Sequence, residues 1–464
     1  MKQLLLIFCT ILYSVLIKGQ KSENAAWYWV QFLDKAGGIY EVDHPEAFLS
    51  ERSLTRRERS GIAVTEQDLP VSNAYLDSLR HAGIAIRYTS RWLNGAAALI
   101  DAGQLEGLRQ TTFIDTIEYI SPLLGETTGQ DYQYKIDSTG MQMEASLYGR
   151  ATQNIRMLNG DSLHQMGFRG ENMYIGILDG GFTNVDKIPF FDSLHQYRQL
   201  SATFDFTDGD QVVFESSTHG TSVLSTMAAF QPGILVGTAP KARYACMKTE
   251  EVRGEYRMEE YNWVAALEYA DSLGVDVVNS SLGYYHFSDR SMNYVPDQLD
   301  GMSSPASRAA GLAFDRGMII VVSAGNEGND RWRYIDVPAD NPKALAVAAV
   351  MSNGQRANFS SFGFDSIAYI KPDLAAPGVH VPVPNAFRNR LSAASGTSLA
   401  APIVCGLVTC LWQAFPELPN REIVAALKAS ASQADQPDRA LGYGIPDFMK
   451  AYRWLQNRQK SLSE

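Results

Sequence analysis

Short apolar runs alternate with longer segments of helical spacing over the second two-thirds of this chain. The apolar runs lie at residues 174–178, 275–278, 318–322 and 344–350. The segments with helical spacing lie at residues 258–273, 306–316 and 399–415. Buried parallel strands that are covered by helices produce this pattern. We therefore predict an α/β domain over residues 148–455, with a doubly wound, mostly parallel sheet, helices on both faces and a site beyond the carboxyl ends of the strands.

The first part of the chain has a different pattern. Its segments are a strand-like run, two polar helical segments and a strand pair, at residues 28–33, 46–59, 72–81 and 84–100. Together they predict a small α+β domain over residues 26–124. Residues 125–147 are rich in Gly, Thr, Gln, Asp and Ser and lack periodicity, which predicts an exposed linker between the two domains.

Residues 1–20 have the charge and apolar order of a secretory signal peptide. Lys2 precedes an apolar stretch at residues 4–17, and Lys18 follows it. The stretch is too short to span a bilayer comfortably, and an uncleaved anchor is the alternative interpretation. We expect cleavage, export to a periplasm or out of the cell, no membrane association afterwards, and no membrane-spanning helix later in the chain.

The composition limits the partners and the redox chemistry. Hydrophobic residues make up 45% and charged residues 20% of the 464 residues, as in a globular protein with a substantial core. A net charge of −11 opposes binding to nucleic acid or to an anionic membrane surface. Cys9 leaves with the signal, and the odd number that remains predicts small core residues rather than a disulfide scaffold: Cys246, Cys405 and Cys410.

An arginine-rich segment lies within the first polar helix. Its charged residues are Glu51, Arg52, Arg56, Arg57, Glu58 and Arg59. A dibasic processing site is one interpretation, and a solvated helix face is the other. The alternation of both signs of charge favours the solvated face.

Four segments carry residues suited to nucleophilic catalysis. Asp179 follows a buried apolar run, so a carboxylate lies at the carboxyl end of a strand. His219 begins a helix of small residues that let another part of the chain approach the imidazole. Ser398 begins a long apolar helix, with Pro402 expected in its first turn, and the unpaired N–H groups there favour developing negative charge. Asn326, between glycines after a strand, offers a neutral N–H donor.

Each of these residues alone has a structural interpretation as a turn, cap or loop residue. Their order along the chain separates the enzyme classes. Asp, His and Ser in this order resemble the subtilisin-like family of serine proteases, the subtilases of peptidase family S8. Chymotrypsin-like enzymes run His, Asp, Ser, and α/β-hydrolases run Ser, acid, His with a Gly-x-Ser-x-Gly elbow, whose final glycine place Ala400 occupies here.

The resemblance implies the roles of the four residues. Asp179 would orient His219, which would act as general base while Ser398 attacks the scissile carbonyl. Asn326 and the backbone N–H of Ser398 would form the oxyanion hole. Gly180 departs from the family pattern, which has Ala or a small hydroxyl residue at that place. The resemblance therefore leaves open how the Asp179 carboxylate is supported.

The resemblance also implies a substrate cleft and an inhibitor. Two walls of the cleft would pair with the peptide as added strands: Ser281, Leu282 and Gly283 on one side, and Ser323, Ala324 and Gly325 on the other. Residues 26–124 would be a propeptide that covers the cleft until it is cut away, with a permanent accessory domain as the alternative. The sequence pattern that suggests a propeptide is Trp92-Leu93-Asn94-Gly95-Ala96-Ala97 followed by an apolar strand.

Together these observations predict a secreted, self-processing serine endopeptidase that cuts polypeptide substrates through an acyl-enzyme, with no cofactor required for the chemistry. The resemblance alone suggests a structural calcium ion, and no acidic loop has ligand spacing that would assign it. Two alternatives stay open. One is a catalytically silent relative that binds peptides in the same cleft, and the other is an esterase that uses the same triad.

Overall fold

The computed structural model describes residues 24–124 and 146–463. The predicted signal peptide at residues 1–20 lies outside the described residues, and so does nearly all of the predicted linker at 125–147.

The N-terminal domain is an antiparallel sheet with three helices. Its elements are β1 (Ala26–Phe32), α1 (Glu51–Arg59), α2 (Asn73–His81), β2 (Ala85–Ser90), β3 (Gly95–Ile100), α3 (Ala102–Leu108) and β4 (Ile114–Pro122). The strand order is β2-β3-β1-β4, and every neighbouring pair is antiparallel. Ser50 caps α1 by accepting from the N–H of Ser53, and Asp101 with Gln104 forms a capping box at α3.

The second domain is built on a larger sheet. Its strands are β5 (Tyr174–Asp179), β6 (Leu200–Asp205), β7 (Phe230–Gln231), β8 (Leu235–Val236), β9 (Arg243–Lys248), β10 (Val277–Ser280), β11 (Ile319–Ser323), β12 (Leu345–Val350), β13 (Leu374–Pro377), β14 (Val381–Pro384) and β15 (Leu391–Ala394). Its helices are α4 (Thr152–Arg156), α5 (Gly160–Gln165), α6 (Asp192–Gln196), α7 (His219–Ala228), α8 (Met258–Leu273), α9 (Pro305–Asp315), α10 (Thr397–Ala414), α11 (Asn420–Ser430) and α12 (Phe448–Ser463).

Seven of these strands form one parallel sheet in the order β13-β12-β11-β10-β5-β9-β6. Alternate residues of β5 enter different cores. Ile175 and Ile177 face the cluster that contains α7 and α10, whereas Tyr174 and Leu178 face the cluster that contains α8 and α9. Burial on both faces explains why the central strands read as continuous apolar runs, and it confirms the predicted doubly wound α/β architecture.

The long helix α10 runs through the core of this domain. Among residues 24–124 and 146–463 it is the one helix with the length and apolarity of a membrane span, which the sequence had led us not to expect. Since 89% of that span is buried inside the protein, α10 is a core helix. The cysteines Cys246, Cys405 and Cys410 are also buried and free, as predicted.

The N-terminal domain docks on α8 through apolar and charged contacts. The rings of Trp29 and Tyr261 stack with centroids 4.4 Å apart. Tyr88 donates a hydrogen bond to Asn262 Oδ1 at 2.7 Å. The backbone N–H of Trp92 donates to Glu268 Oε1 at 3.1 Å, so the turn that carried the propeptide resemblance is fixed by a carboxylate of α8.

The prediction that the arginine-rich segment is a solvated helix face is wrong. Arg56 and Arg57 are each only 1% exposed and form ion pairs with Asp271 of α8, which is completely buried. Arg91 binds the same carboxylate at 2.7 Å. Burial raises the pKa of Asp271, but the charges of the three arginines outweigh burial and lower it to about 2. The positive charges of these guanidinium groups are compensated by a carboxylate on a helix distant in sequence, and not by water.

Replacing Asp271 should therefore destabilise the full-length chain strongly. Asp271→Ala leaves three buried guanidinium groups without their carboxylate, which should lower the free energy of unfolding by about 3–5 kcal/mol in denaturant titrations. Because the folded pKa of Asp271 lies below the unfolded value of about 3.9, its stabilisation is present above about pH 4 and is lost as the pH falls towards about 2.

Asp315→Ala is the matched control, since the side chains of Asp315 and Lys343 are 50% and 45% exposed in their ion pair. That variant should lose less than about 1 kcal/mol. Equal losses for the two variants would show that the buried cluster contributes no more than a surface pair.

Candidate active site

The parallel register brings the ends of three strands to one level. Leu178 of β5 pairs with Ser280 of β10, and Ser280 pairs with Val322 of β11. The next residue of each strand therefore lies at the same carboxyl edge of the sheet: Asp179, Ser281 and Ser323. A triad candidate and the first residues of both predicted cleft walls are thus neighbours because of strand register alone.

Asp179 and His219 are in direct contact. The Nδ1 atom of His219 lies 2.8 Å and 2.9 Å from the two carboxylate oxygens of Asp179. Asp179 is completely buried, and the N–H of Gly180 donates to its Oδ1 at 2.8 Å. A backbone N–H supplies this support and does not depend on the side chain at position 180, so the Gly180 departure leaves the support of the carboxylate in place.

The imidazole of His219 is held at the start of α7. Its backbone N–H donates to Ser217 Oγ at 3.1 Å, and its side chain is 17% exposed. Burial lowers the pKa of His219, but the negative charge of Asp179 and the hydrogen bond between them outweigh burial and raise it above the ordinary value. The pair therefore favours a protonated imidazole more than a free histidine does.

Ser398 and Asn326 are linked through Thr397. The backbone N–H of Thr397 donates to Asn326 Oδ1 at 2.9 Å, and the Thr397 hydroxyl donates to the same oxygen at 3.1 Å. This use of the amide oxygen orients the Nδ2 group of Asn326 as the remaining donor beside Ser398. Asn326 is not among the residues with positive φ, so a strained loop conformation does not explain its presence.

The position of Pro402 differs from the prediction. α10 begins at Thr397, so Pro402 lies inside the helix and not in its first turn. A residue at this place would normally donate its N–H to the carbonyl of Ser398, four residues earlier, and proline cannot. Ser281 Oγ donates to that carbonyl oxygen instead, at 2.7 Å, and Asn279 Nδ2 donates to Ser281 Oγ at 3.0 Å. The missing helical bond thus ties the start of α10 to a wall of the predicted cleft.

The predicted site residues form two hydrogen-bonded groups at one edge of the sheet. The first is the Asp179–His219 pair, and the second joins Ser398 with Ser281 and Asn326. Helices α7 and α10, which carry His219 and Ser398, pack against each other. The remaining wall residues follow β10 and β11 directly: Leu282, Gly283, Ala324 and Gly325.

Acidic residues near the walls were missed in the sequence. Asp336 lies against Gly283 and Gly325, and Glu327 lies against Gly325. A carboxylate between apolar neighbours, as in Tyr334-Ile335-Asp336-Val337, was the available signal. Likewise, a proline four residues after Ser398 signalled that the Ser398 carbonyl needs another partner.

Three further carboxylates lie close together: Glu250, Glu255 and Glu259, whose ligand atoms are within 4.8 Å of one another. Their oxygens already accept hydrogen bonds. Tyr284 donates to Glu250 Oε1 at 2.7 Å, and the N–H of Glu251 donates to Glu259 Oε1 at 2.7 Å. Burial, followed by the charge of Glu255, raises the pKa of Glu250 to about 8. These bonds engage Glu250 and Glu259, and calcium stays a prediction without an assigned site.

Comparison with known proteins identifies the family. A family model described as the subtilase family, peptidase S8, matches residues 170–444, more than half of the chain. The chain belongs to the subtilase family. A second model, described as a peptidase S8 propeptide domain of Bacteroidota, matches residues 27–135 of this subtilase. The chain is therefore a serine endopeptidase that carries a propeptide domain.

Individual relatives agree with this assignment. Subtilisin E of Bacillus subtilis (strain 168) is 25% identical to this subtilase over 362 residues, which cover 77% of this chain and 80% of the relative. The subtilisin of Bacillus pumilus is 28% identical over 284 residues, which cover 60% of this chain and 90% of the relative. The MycP3 protease of a type VII (ESX-3) secretion system aligns with a TM-score of 0.53 and 22% identity over 69% of this chain and 93% of that chain, which supports the fold.

Two glycines beside Asp179 offer a matched test of the His219 position. A Cβ added to Gly220 would overlap the carbonyl oxygen of Gly181 and lie 3.0 Å from Asp179 Cβ, so Gly220→Ala must push α7 away from β5. A shift of about 1 Å at a catalytic group costs about a hundredfold, and we expect at least that loss in kcat/KM on a peptide substrate.

At Gly180, the nearest atom to an added Cβ is Ser217 Cβ at 3.5 Å, which is ordinary contact. Gly180→Ala should therefore keep kcat/KM within a factor of about three. Comparable activity in both variants would mean that the close approach of α7 to β5 does not position His219.

Proposed function

We propose that Asp179, His219 and Ser398 act as a catalytic triad in an exported, self-processing endopeptidase. The observation that carries this proposal is the double contact of His219 Nδ1 with the buried carboxylate of Asp179, at the same sheet edge as Ser398. That contact leaves Nε2 of the imidazole to act on the serine hydroxyl. It is also the contact that an orienting carboxylate makes in such a triad.

The proposed reaction has two halves. Ser398 Oγ bonds to the scissile carbonyl carbon while His219 Nε2 takes the hydroxyl proton, and the carbonyl oxygen becomes an oxyanion. The tetrahedral intermediate collapses with cleavage of the C–N bond, and His219 gives its proton to the leaving amine. Water then attacks the resulting ester in the same way, which releases the carboxyl product and restores the serine hydroxyl.

Two features of the site support this chemistry electrostatically. The Asp179 carboxylate, which raises the pKa of His219, stabilises the imidazolium that forms in each half-reaction. Asn326 Nδ2 and the backbone N–H of Ser398 at the N-terminus of α10 are proposed to donate to the oxyanion. Because Thr397 holds the amide oxygen of Asn326, the donor is positioned before substrate binds.

The peptide substrate is proposed to lie between the two cleft walls as an added strand. Ser281, Leu282 and Gly283 continue β10, and Ser323, Ala324 and Gly325 continue β11. Backbone groups beyond the ends of adjacent strands suit pairing with an extended chain. This arrangement makes the recognition of the peptide backbone independent of its sequence.

We further propose that the N-terminal domain inhibits the enzyme until the enzyme cuts itself between residues 125 and 147. The match to a propeptide family and the docking on α8 support this role. Export is proposed from the signal-like pattern of residues 1–20. The mature enzyme would then act in a periplasm or outside the cell.

The triad is tested by labelling and by processing. Wild-type protein should react with a fluorophosphonate probe at Ser398 and should be recovered cut between residues 125 and 147, as read by mass spectrometry of intact and digested protein. Ser398→Ala should not label and should stay full length, because it lacks the nucleophile.

Ser395→Ala is a neighbouring serine control and should label and process like wild type. Production in a host free of other proteases excludes cleavage in trans. Cleavage of Ser398→Ala at the same bond would overturn self-processing, and labelling at another residue would overturn the triad.

The oxyanion donor is tested by Asn326→Ala. The bond should strengthen as charge develops on the carbonyl oxygen, so its loss should appear in kcat with KM nearly unchanged. Removal of one such donor from a subtilisin costs about 10² to 10³ in kcat, and we carry that magnitude over to this relative.

Asn326→Gly provides the control for a purely conformational role, with the unfolding midpoint measured in parallel. Near-normal kcat in a folded Asn326→Gly enzyme would remove Asn326 from the mechanism.

A further inference from the structure

Two acidic side chains lie between the glycines of the two cleft walls. A Cβ added to Gly283 would lie 2.7 Å from Asp336 Cβ and 3.0 Å from its Oδ2. A Cβ added to Gly325 would lie 2.6 Å from Asp336 Oδ2 and 2.6 Å from Glu327 Oε2. The carboxyl group of Asp336 is therefore placed between the walls, with Glu327 beside it on the Gly325 side.

No cationic side chain among the described residues compensates these carboxyl groups. Asp336 is 5% exposed, and its Oδ1 atom has no hydrogen-bond partner among the described residues. Glu327 Oε2 accepts from the N–H of Asn326 at 2.5 Å and from Ser361 Oγ at 3.0 Å. Within residues 24–124 and 146–463, no lysine or arginine forms an ion pair with either group.

Such an arrangement is costly without a cation. A buried carboxylate normally has a charged partner or full hydrogen bonding, and an unpartnered oxygen calls for an explanation. Burial and the adjacent charge of Glu327 raise the pKa of Asp336 well above its ordinary value. Burial, followed by the charges of Glu327 and Asp336, raises the pKa of Tyr285 to about 12.

The walls connect this acidic pair to the nucleophile. Ser281, two residues before Gly283, donates to the carbonyl oxygen of Ser398, and Asn326, next to Gly325, is bonded to Thr397. A side chain that enters between the two glycines thus belongs to the residue whose carbonyl Ser398 attacks. The absence of Cβ atoms on both walls lets the carboxyl groups approach the wall backbone closely, so they are the groups that the end of a long substrate side chain would meet.

We propose that Asp336 and Glu327 select substrates with lysine or arginine as the residue that supplies the scissile carbonyl, by providing the anionic floor of its pocket. This inference rests on the proposed function of Ser398 and names the substrate class. The ammonium or guanidinium group would be the missing counter-charge of the pair. Arginine in particular can donate to two carboxylates at once.

The test uses peptide substrates that differ only in charge at this residue. Arginine is compared with citrulline, its neutral isostere, and lysine with norleucine. We expect kcat/KM of the purified protein to be at least about thirtyfold higher for arginine than for citrulline, since truncating a buried charge pair costs about 2 kcal/mol or more. Asp336→Asn should bring the ratio to within about threefold of one.

Asp330→Asn is the control, because Asp330 is exposed near the same loop and should leave the ratio unchanged. Thermal unfolding of each variant establishes that it is folded. A wild-type ratio near one, or a ratio that survives in Asp336→Asn, would overturn the pocket. A preference for citrulline would show that the two carboxyl groups act as a neutral, proton-sharing pair.

Fluorophosphonate labelling of the same preparation separates this inference from the proposed function. If the protein labels at Ser398 but cuts the arginine and citrulline peptides equally, the proposed pocket is wrong and the proposed triad stands. If labelling fails, the triad is wrong, and the pocket is judged by binding. Protein that has been cut in the linker and freed of residues 26–124 should then bind a peptide ending in arginine at least about tenfold more tightly than one ending in citrulline, as measured by calorimetry. Equal binding would overturn the pocket.

Discussion

The site depends on the parallel register of β5, β10 and β11. Parallel strands in register end at one edge, and this sheet aligns Leu178, Ser280 and Val322 on a single level. The residues that follow are a carboxylate and the first members of two walls. Because the interior strands are buried on both faces, a slip of one residue in β5 would exchange Ile175 and Ile177 with Tyr174 and Leu178 between two differently shaped cores. Core packing therefore fixes the geometry of the site.

Hydrogen bonds outside regular secondary structure then fix Ser398, the proposed nucleophile, relative to the predicted walls. Proline at position 402 frees the carbonyl of Ser398, and the hydroxyl of Ser281 binds it. On the other side, Thr397 binds the amide oxygen of Asn326. A net contribution of about 1 kcal/mol for each bond is modest for stability. Its larger effect is orientation, because donors and nucleophile occupy set positions before the substrate arrives.

The propeptide interface combines a large apolar contact with a buried ion cluster on the same helix. Trp29, Tyr88 and Trp92 join the apolar cluster of α8 and α9, while three arginines surround Asp271. Desolvation of so many charges limits the affinity that the cluster adds, but a shifted orientation would leave charges unpaired. The ion cluster thus specifies how the domain docks, while burial of the apolar contact favours association. Once separated, each partner would regain hydration of its charges, which suits the proposed role of a domain that inhibits the enzyme and then leaves.

The sequence by itself determined the α/β architecture and the identities of the candidate site residues. Strong periodicity predicted α8 with the bounds Met258–Leu273, and short local motifs contained Asp179, His219 and Ser398. Tertiary structure alone decided which charges are buried: Asp271 lies 215 residues from Arg56, so no local pattern shows that the arginine is paired. The same holds for Asp336, whose place between Gly283 and Gly325 depends on the two loops that follow β10 and β11. Periodicity records which side of an element faces a core, whereas the partner of a polar group is set by long-range packing.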